Sequence, residues 1–175
     1  MTTPLLPKPS VLLRTASAAD APLLENLLQL YIHDLSAIFE QVELGEDGRY
    51  GYPALASYLS GAPERRAFLL RADGRLAGFA LARLGSPALP DPRVWDVAEF
   101  FVLKRFRGQG VGRAAALGLW EEQRGAWTVR VANKNVSALA FWKRAVAEYR
   151  GGAVSELAWS PGAVPWTVFH LQPNE

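Results

Sequence analysis

Between positions 104 and 115 the chain reads KRFRGQGVGRAA, with glycines at 108, 110 and 112 and arginines at 105, 107 and 113. Alternating glycines let a backbone turn tightly and aim its N–H groups at one point, and a helix starting there adds the positive end of its dipole. Arg107 and Arg113 flank that point, where a diphosphate would gain charge-assisted hydrogen bonds that a neutral ligand could not use. The chemistry these residues suit is the holding of an anion.

A loop of this kind works only if a strand delivers it and a helix leaves it. Val94–Leu103 reads as a long strand, and Arg113–Arg124 as an alanine-rich helix with Gly125 past its end. Upstream, Val11–Thr15 is a short apolar run that reads as a strand. Leu23, Leu24, Leu27, Leu28, Tyr31, Leu35 and Ile38 recur at spacings of three and four, which predicts a helix capped by Ser17 or Asp20. The polar stretch between Glu40 and Gly51 reads as a loop over a binding face, and Pro53 opens a short helix ending near Gly61. Arg66–Arg71 and Arg75–Leu84 are strand-like runs joined by Asp73-Gly74, the dipeptide of a two-residue hairpin turn. Downstream come a strand over Trp127–Val131, a helix over Val136–Ala145, and two last strands within Tyr149–Trp159 and Val164–Leu171. Residues 1–10, with three prolines, read as a loosely held arm, and 11–175 as one α/β domain with a mixed sheet.

Composition narrows the function classes. The chain has 175 residues, half of them hydrophobic, enough for one core and too few for two. Nineteen Lys and Arg against 17 Asp and Glu give a formal charge of +2, far from the basic excess of a nucleic-acid binder. No cysteine occurs, which removes disulfides, thiolate metal ligands and a cysteine nucleophile together. With only His33 and His170 as imidazoles, no metal site is expected. MTTPLLPKPS lacks a signal-peptide core and no run of 18 apolar residues exists, so the expectation is a cytoplasmic protein without a membrane span.

Three ligand classes use glycine loops, and spacing separates them. A P-loop requires GxxxxGK, but the fifth residue after Gly108 is Arg113. The dinucleotide fingerprint GxGxxG/A matches from Gly110 to Ala115, yet the strand that follows ends in Ala132 and Asn133 where that fingerprint needs an acid. The third class is coenzyme A. Arg107-Gly108-Gln109-Gly110-Val111-Gly112 fits the Q/R-x-x-G-x-G/A signature of the GNAT superfamily of N-acetyltransferases. The segment from Asn135 to Lys143, with Ala138, Phe141 and Trp142, similarly resembles that family's N-x-x-A-x-x-L/F-Y-x-K helix. The resemblance covers roughly residues 11–171.

It implies a six- to seven-stranded mixed, twisted sheet flanked by about four helices, with acetyl-CoA as cosubstrate. The cofactor would lie between the strands Val94–Leu103 and Trp127–Val131. Backbone groups near Phe101, Val102 and Leu103 would hold the pantetheine arm, and Arg107, Gly108, Gln109, Gly110, Val111, Gly112 and Arg113 the pyrophosphate. Asn135, Phe141 and Trp142 would lie beside it, the last two equally readable as core packing. An amine must lose a proton before it attacks, since an alkylammonium has a pKa of about 10.4. Glu99, eight residues before Arg107, stands where the family often carries the base. Trp142 stands where the family usually has a tyrosine that protonates the leaving thiolate, and an indole N–H cannot; Tyr31, Tyr50 and Tyr149 are the candidate substitutes. Tyr31, Asp34, Tyr50 and Tyr52 fall in the region that usually binds the acceptor, here a primary amine of a small molecule or peptide. The alternative of another class is a non-catalytic acyl-CoA-binding module. No nucleic-acid partner is expected, and edge strands near the C-terminus could pair two copies as a homodimer.

Overall fold

The computed structural model describes residues 8–173. Residues 1–7 of the expected arm lie outside these, and Ser10 is tied down: its N–H donates to the Asp73 carboxylate (2.9 Å) and its C=O accepts from the Asp73 N–H (2.9 Å). Seven strands follow, β1 (Val11–Thr15), β2 (Arg65–Ala72), β3 (Arg75–Leu84), β4 (Trp95–Val102), β5 (Trp127–Ala132), β6 (Gly152–Trp159) and β7 (Trp166–Pro173). Four helices join them, α1 (Ala21–Ser36), α2 (Leu55–Tyr58), α3 (Val111–Glu122) and α4 (Val136–Ala147). The strands form one sheet in the order β1-β2-β3-β4-β5-β7-β6. Neighbours run antiparallel except β4 and β5, which are parallel and joined through α3.

The helices cover both faces because the central strands are apolar on both. On one face Leu24, Leu27, Leu28 and Ile32 of α1 pack on Leu69, Phe79, Leu81 and Phe101. On the other, Ala116, Leu119 and Trp120 of α3 and Trp142 of α4 pack on Trp95, Trp127, Val129 and Phe169. Trp127 is fully buried and stacks on Trp95, with ring centroids 5.7 Å apart.

Turn chemistry falls where the sequence puts it. Asp73 and Gly74 take φ of 48° and 75°, the left-handed pair that matches the twist of the β2–β3 hairpin. Two expectations shift. α2 is a single four-residue turn rather than a helix from Pro53 towards Gly61. α3 begins at Val111, two residues earlier than expected, because Gly110 at φ 84° ends the loop. Gly112 thus lies inside the first helical turn, where a Cβ would come within 3.1 Å of the Phe141 ring. Its role is the close packing of α3 on α4.

Gly78 secures β4. A Cβ there would lie 1.9 Å from the Phe101 carbonyl oxygen, a backbone atom that cannot swing aside. Gly78→Ala is expected to cost about 3 kcal/mol, the upper end of overpacking penalties, read as a lower urea midpoint at unchanged slope. An unchanged midpoint would mean that β3 and β4 separate freely at this rung.

Candidate active site

β4 and β5 pair over only three rungs, Trp95 with Trp127, Asp96 with Thr128 and Val97 with Val129, and beyond these the strands part. A bulge begins the parting: Ala82 faces Val97 and Leu81 faces Glu99, leaving Ala98 as an extra residue that bends β4. The extra residue also resets which way side chains point. Trp95 and Val97 pack towards α3 and α4, whereas Phe101, beyond the bulge, packs towards α1. In an unbulged strand, with Ala98 regularly paired, the two-residue alternation would turn Glu99 to the α3 side beside Val97.

The closed rungs are locked by Asp96, whose side chain is fully buried. It accepts hydrogen bonds from Thr128 Oγ1 (2.9 Å), Arg130 Nε and Nη2 (2.8 Å each) and Arg83 Nε (3.2 Å). Sequence reasoning passed over Asp96, Arg130 and Arg83. The signal was an aspartate inside an apolar strand, VWDVAEFF, which needs a buried partner to be there at all.

A cavity of about 840 Å³ occupies the gap. Of the residues named from sequence, Tyr31, Asp34, Phe101, Val102, Arg107, Gly108, Gly110, Gly112, Arg113, Asn135, Phe141 and Trp142 line it, joined by Phe100, which sequence did not single out. Phe141 and Trp142 are at once core and wall: Trp142 is buried and meets Phe100 edge-on at 5.0 Å. Gln109 turns its amide to the Arg105 carbonyl (2.6 Å), and Val111 is fully buried beneath the loop. The Leu103 N–H donates to Ala77 on β3 (2.8 Å). By the alternation of an antiparallel ladder, the polar groups of Phe101 also face β3, and those of Phe100 and Val102 face the gap. Tyr50 lies apart, its hydroxyl 3.2 Å from His33 Nδ1, in a second cavity of about 610 Å³ lined also by Tyr52, Glu25 and Arg49.

The loop has the features of an anion cradle. Gly108 and Gly110 take φ of 73° and 84° with open space where a Cβ would be. No side chain caps α3 and no acid stands in its first turn, so its leading N–H groups stay available. By contrast, Asn135 caps α4, its Oδ1 accepting from the Ala138 N–H at 3.2 Å. Arg107 spans the cavity mouth, donating from Nε to the Val102 carbonyl (2.7 Å) and from Nη2 to Asp34 (2.9 Å). Lys104 sits 3.1 Å from the other Asp34 oxygen. Burial pushes the Asp34 carboxyl up, but these two cations outweigh it and hold the group below its ordinary value. Arg113 pairs with Glu148 through both carboxylate oxygens. Among the described residues, no group of three or more His, Asp or Glu is placed to hold a metal, and no helix is long and apolar enough to cross a membrane.

Glu99 sits two residues past the last closed rung. Tyr31 donates to its Oε2 (2.6 Å) and Tyr52 to its Oε1 (2.9 Å). Burial pushes the Glu99 carboxyl above its ordinary value of 4.5; the two phenols and the Arg130 charge pull it back in part, and Asp96 adds repulsion. Burial, then the Glu99 charge, push Tyr31 well up. A raised folded-state pKa means that the folded protein holds this proton more tightly than the unfolded chain. The contribution is therefore present in full below the unfolded value and is lost as pH rises through the folded one. Glu99→Gln removes that loss. Its stability relative to the parent, from urea melts between pH 4 and 8, is expected to rise with pH and level off above the Glu99 pKa; a difference flat with pH would contradict the burial assigned to this carboxylate.

A family model for the acetyltransferase (GNAT) family matches residues 25–146. No curated protein sequence matches. Among solved structures, an acetyltransferase from Thermus thermophilus is similar with a TM-score of 0.66 and 22% identity, over 93% of this chain and 97% of that one. yncA from Salmonella typhimurium, solved with its cofactor acetyl-CoA, gives 0.60 and 16% over 94% and 95%. Aminoglycoside acetyltransferase AAC(6')-Ib, solved with coenzyme A, gives 0.65 and 14% over 93% and 95%. At these identities the likenesses speak for the fold, and the family model, which spans most of the chain, speaks for descent. With its mixed sheet, parted central strands and glycine-rich helix start, this chain belongs to the GNAT family of acetyltransferases.

Proposed function

We propose that the protein is one domain over residues 11–175 that transfers the acetyl group of acetyl-CoA to a primary amine of a small molecule or peptide, by direct attack in a ternary complex. One observation carries the reading: a single cavity joins an uncapped, glycine-rich helix start to a strand gap that has the half-buried carboxylate of Glu99 just beyond its closed end. The parts suit the cosubstrate in order. The α3 N-terminus with Gly108 and Gly110 receives the pyrophosphate, Arg107 and Arg113 exchange Asp34 and Glu148 for its charge, and the gap-facing backbone of Phe100 and the N–H of Val102, whose carbonyl Arg107 already holds, pair with the amide-bearing arm. Asn135, Phe141 and Trp142 form the wall of the same cavity. Similar folds solved with acetyl-CoA or coenzyme A support this assignment.

Glu99 takes the proton of the attacking amine. Its raised pKa brings it closer to the working range of a base at neutral pH than an exposed glutamate would be. Direct attack agrees with a chain that has no cysteine to carry an acetyl thioester. Asp34, once Arg107 turns to the cosubstrate, is a carboxylate at the cavity mouth suited to a cationic acceptor. Tyr50 lines the neighbouring cavity that α1, α2 and the loop between them enclose on the same face of the sheet.

Isothermal titration with acetyl-CoA, using NAD and ATP as controls, followed by thiol release over a panel of amines, tests the reading. Binding of the acetyl donor alone together with amine-dependent thiol release is expected. Glu99→Gln is expected to lower kcat by about 10²-fold, the low end for a positioned base, with acetyl-CoA affinity unchanged. Binding without thiol release for any amine would favour a non-catalytic acyl-CoA-binding module.

A further inference from the structure

The row of side chains that shuts the gap is also where positive charge is left over. On the α1 face Arg65 of β2 stands directly opposite Arg83 of β3, and Arg83 opposite Asp96 of β4. Like charges facing each other across two strands are unfavourable unless an anion sits with them. Asp96 is already taken up: it accepts from Arg83 Nε (3.2 Å) and from the fork of Arg130 (2.8 Å twice). Among the described residues nothing bonds to the two Nη groups of Arg83, whose side chain is 28% exposed. Arg65 has no carboxylate among them at ion-pair distance, and its guanidinium lies 5.0 Å from the centre of the Tyr58 ring. Three guanidinium groups, Arg65, Arg83 and Arg130, thus meet two carboxylates, Asp96 and Glu99, which leaves one positive charge unbalanced.

Tyr58 of α2 is the second sign of a ligand at this place. The residue is only 4% exposed, yet its hydroxyl has no hydrogen-bond partner among the described residues and is not sealed from solvent. A polar end left unpaired on an otherwise buried ring is unfavourable unless something outside the chain takes it up. Burial pushes the Tyr58 hydroxyl above its ordinary value, the charges of Arg65 and Arg83 pull it back, and Glu99 adds to the rise. It therefore keeps its proton and stays a donor, as the two arginines are.

Resting on the acetyl-transfer reading above, we propose that the acceptor is a small amine that also carries a carboxylate, an amino acid by chemical class, whose carboxylate is held by Arg65, Arg83 and Tyr58 while its nitrogen lies at Glu99. The spacing suits such a molecule. Glu99 pairs with Leu81, and Arg83 stands two residues further along β3, about 7 Å at the rise of a strand. The two ends of one short molecule span that distance once the reach of the arginine side chains is included. A guanidinium fork matches a carboxylate in shape, and the free Nη groups of Arg83 give it two donors side by side. Charge points the same way: one carboxylate cancels the unbalanced cation, a neutral amine leaves it in place, and a doubly charged phosphate overshoots. Asp96 then does two things at once, closing β4 on β5 and fixing Arg83 beside the acceptor.

The test compares acceptors in pairs. Thiol release at saturating acetyl-CoA is followed with α-amino acids, β-alanine and γ-aminobutyrate, each against its own amide, which keeps the shape and removes the charge. The best acceptor is expected to be a carboxylate and to exceed its amide by about 10²-fold in kcat/KM, the worth of two charge-assisted hydrogen bonds. Arg65→Gln and Tyr58→Phe alter side-chain ends that hydrogen-bond to nothing among the described residues. Each is expected to narrow that preference about tenfold, through a higher KM for the carboxylate. A general loss of structure would lower both members of a pair alike and leave their ratio as it was. Amides used as well as their carboxylates, or a ratio that neither substitution moves, would overturn the proposal alone. A parent that releases no thiol with any amine would overturn the acetyl-transfer reading. Titration of the same amino acids into the protein with coenzyme A bound then decides the site: binding that needs the carboxylate and weakens in Arg65→Gln upholds it, and no binding overturns it too.

Discussion

Asp96 is where the architecture is decided. A carboxylate buried without exposure at the Asp96–Thr128 rung is tolerable only because Thr128, Arg130 and Arg83 fill its lone pairs, and those partners sit on three different residues of β3 and β5. Removing one partner of such a cluster leaves the others buried and unpaired, typically at about 3–5 kcal/mol. The cluster closes β4 onto β5 at one end, and the bulge at Ala98 turns the other end away. One end shut and one end open is what makes a cleft out of a sheet, and the loop, the cavity and the Glu99 carboxylate are all placed by it.

The consequences run along β4 in both directions. Past the bulge, Glu99 shares the α1 face with Phe101 and meets Tyr31 and Tyr52 from elements far apart in sequence. Further on, the strand hands over through a turn at Lys104–Phe106 to the glycine loop, with Arg107 reaching back to Val102. Gly78 lets β3 approach close enough to hold this half of β4 after β5 has left it. Arg107 and Arg113 already have carboxylates, Asp34 and Glu148, as partners. These pairs are surface ones of modest strength, easily exchanged for a phosphate that brings more charge.

Much of this was legible in the sequence for definite reasons. The 3.6-residue spacing of Leu24, Leu27, Leu28 and Ile32 gave away α1, Asp73-Gly74 the hairpin, and the glycines the α3 start, since each is a local signal. Glu99 could be singled out, but not its partners, because nothing local joins positions 31, 52 and 99. The bulge was invisible for the same reason: it is a mismatch between two strands and belongs to neither sequence. Gln109 and Val111 illustrate the reverse, residues that a motif places at the loop but whose side chains turn to Arg105 and the core. Sequence put Phe101 to Leu103 at the pantetheine arm, whereas the ladder of β3 and β4 turns the backbone of Phe100 and Val102 to the gap.

Everything proposed for this site requires that acetyl-CoA enter the gap between β4 and β5 and be held there mainly by backbone. Amide hydrogen exchange with and without acetyl-CoA addresses this residue by residue. Slowed exchange is expected at Phe100 and Val102 and across Gly108 to Arg113, with little change at Leu103, whose N–H already bonds to Ala77. Acetyl-CoA that binds while leaving these amides as they were, or that protects the second cavity around Tyr52 instead, would contradict it.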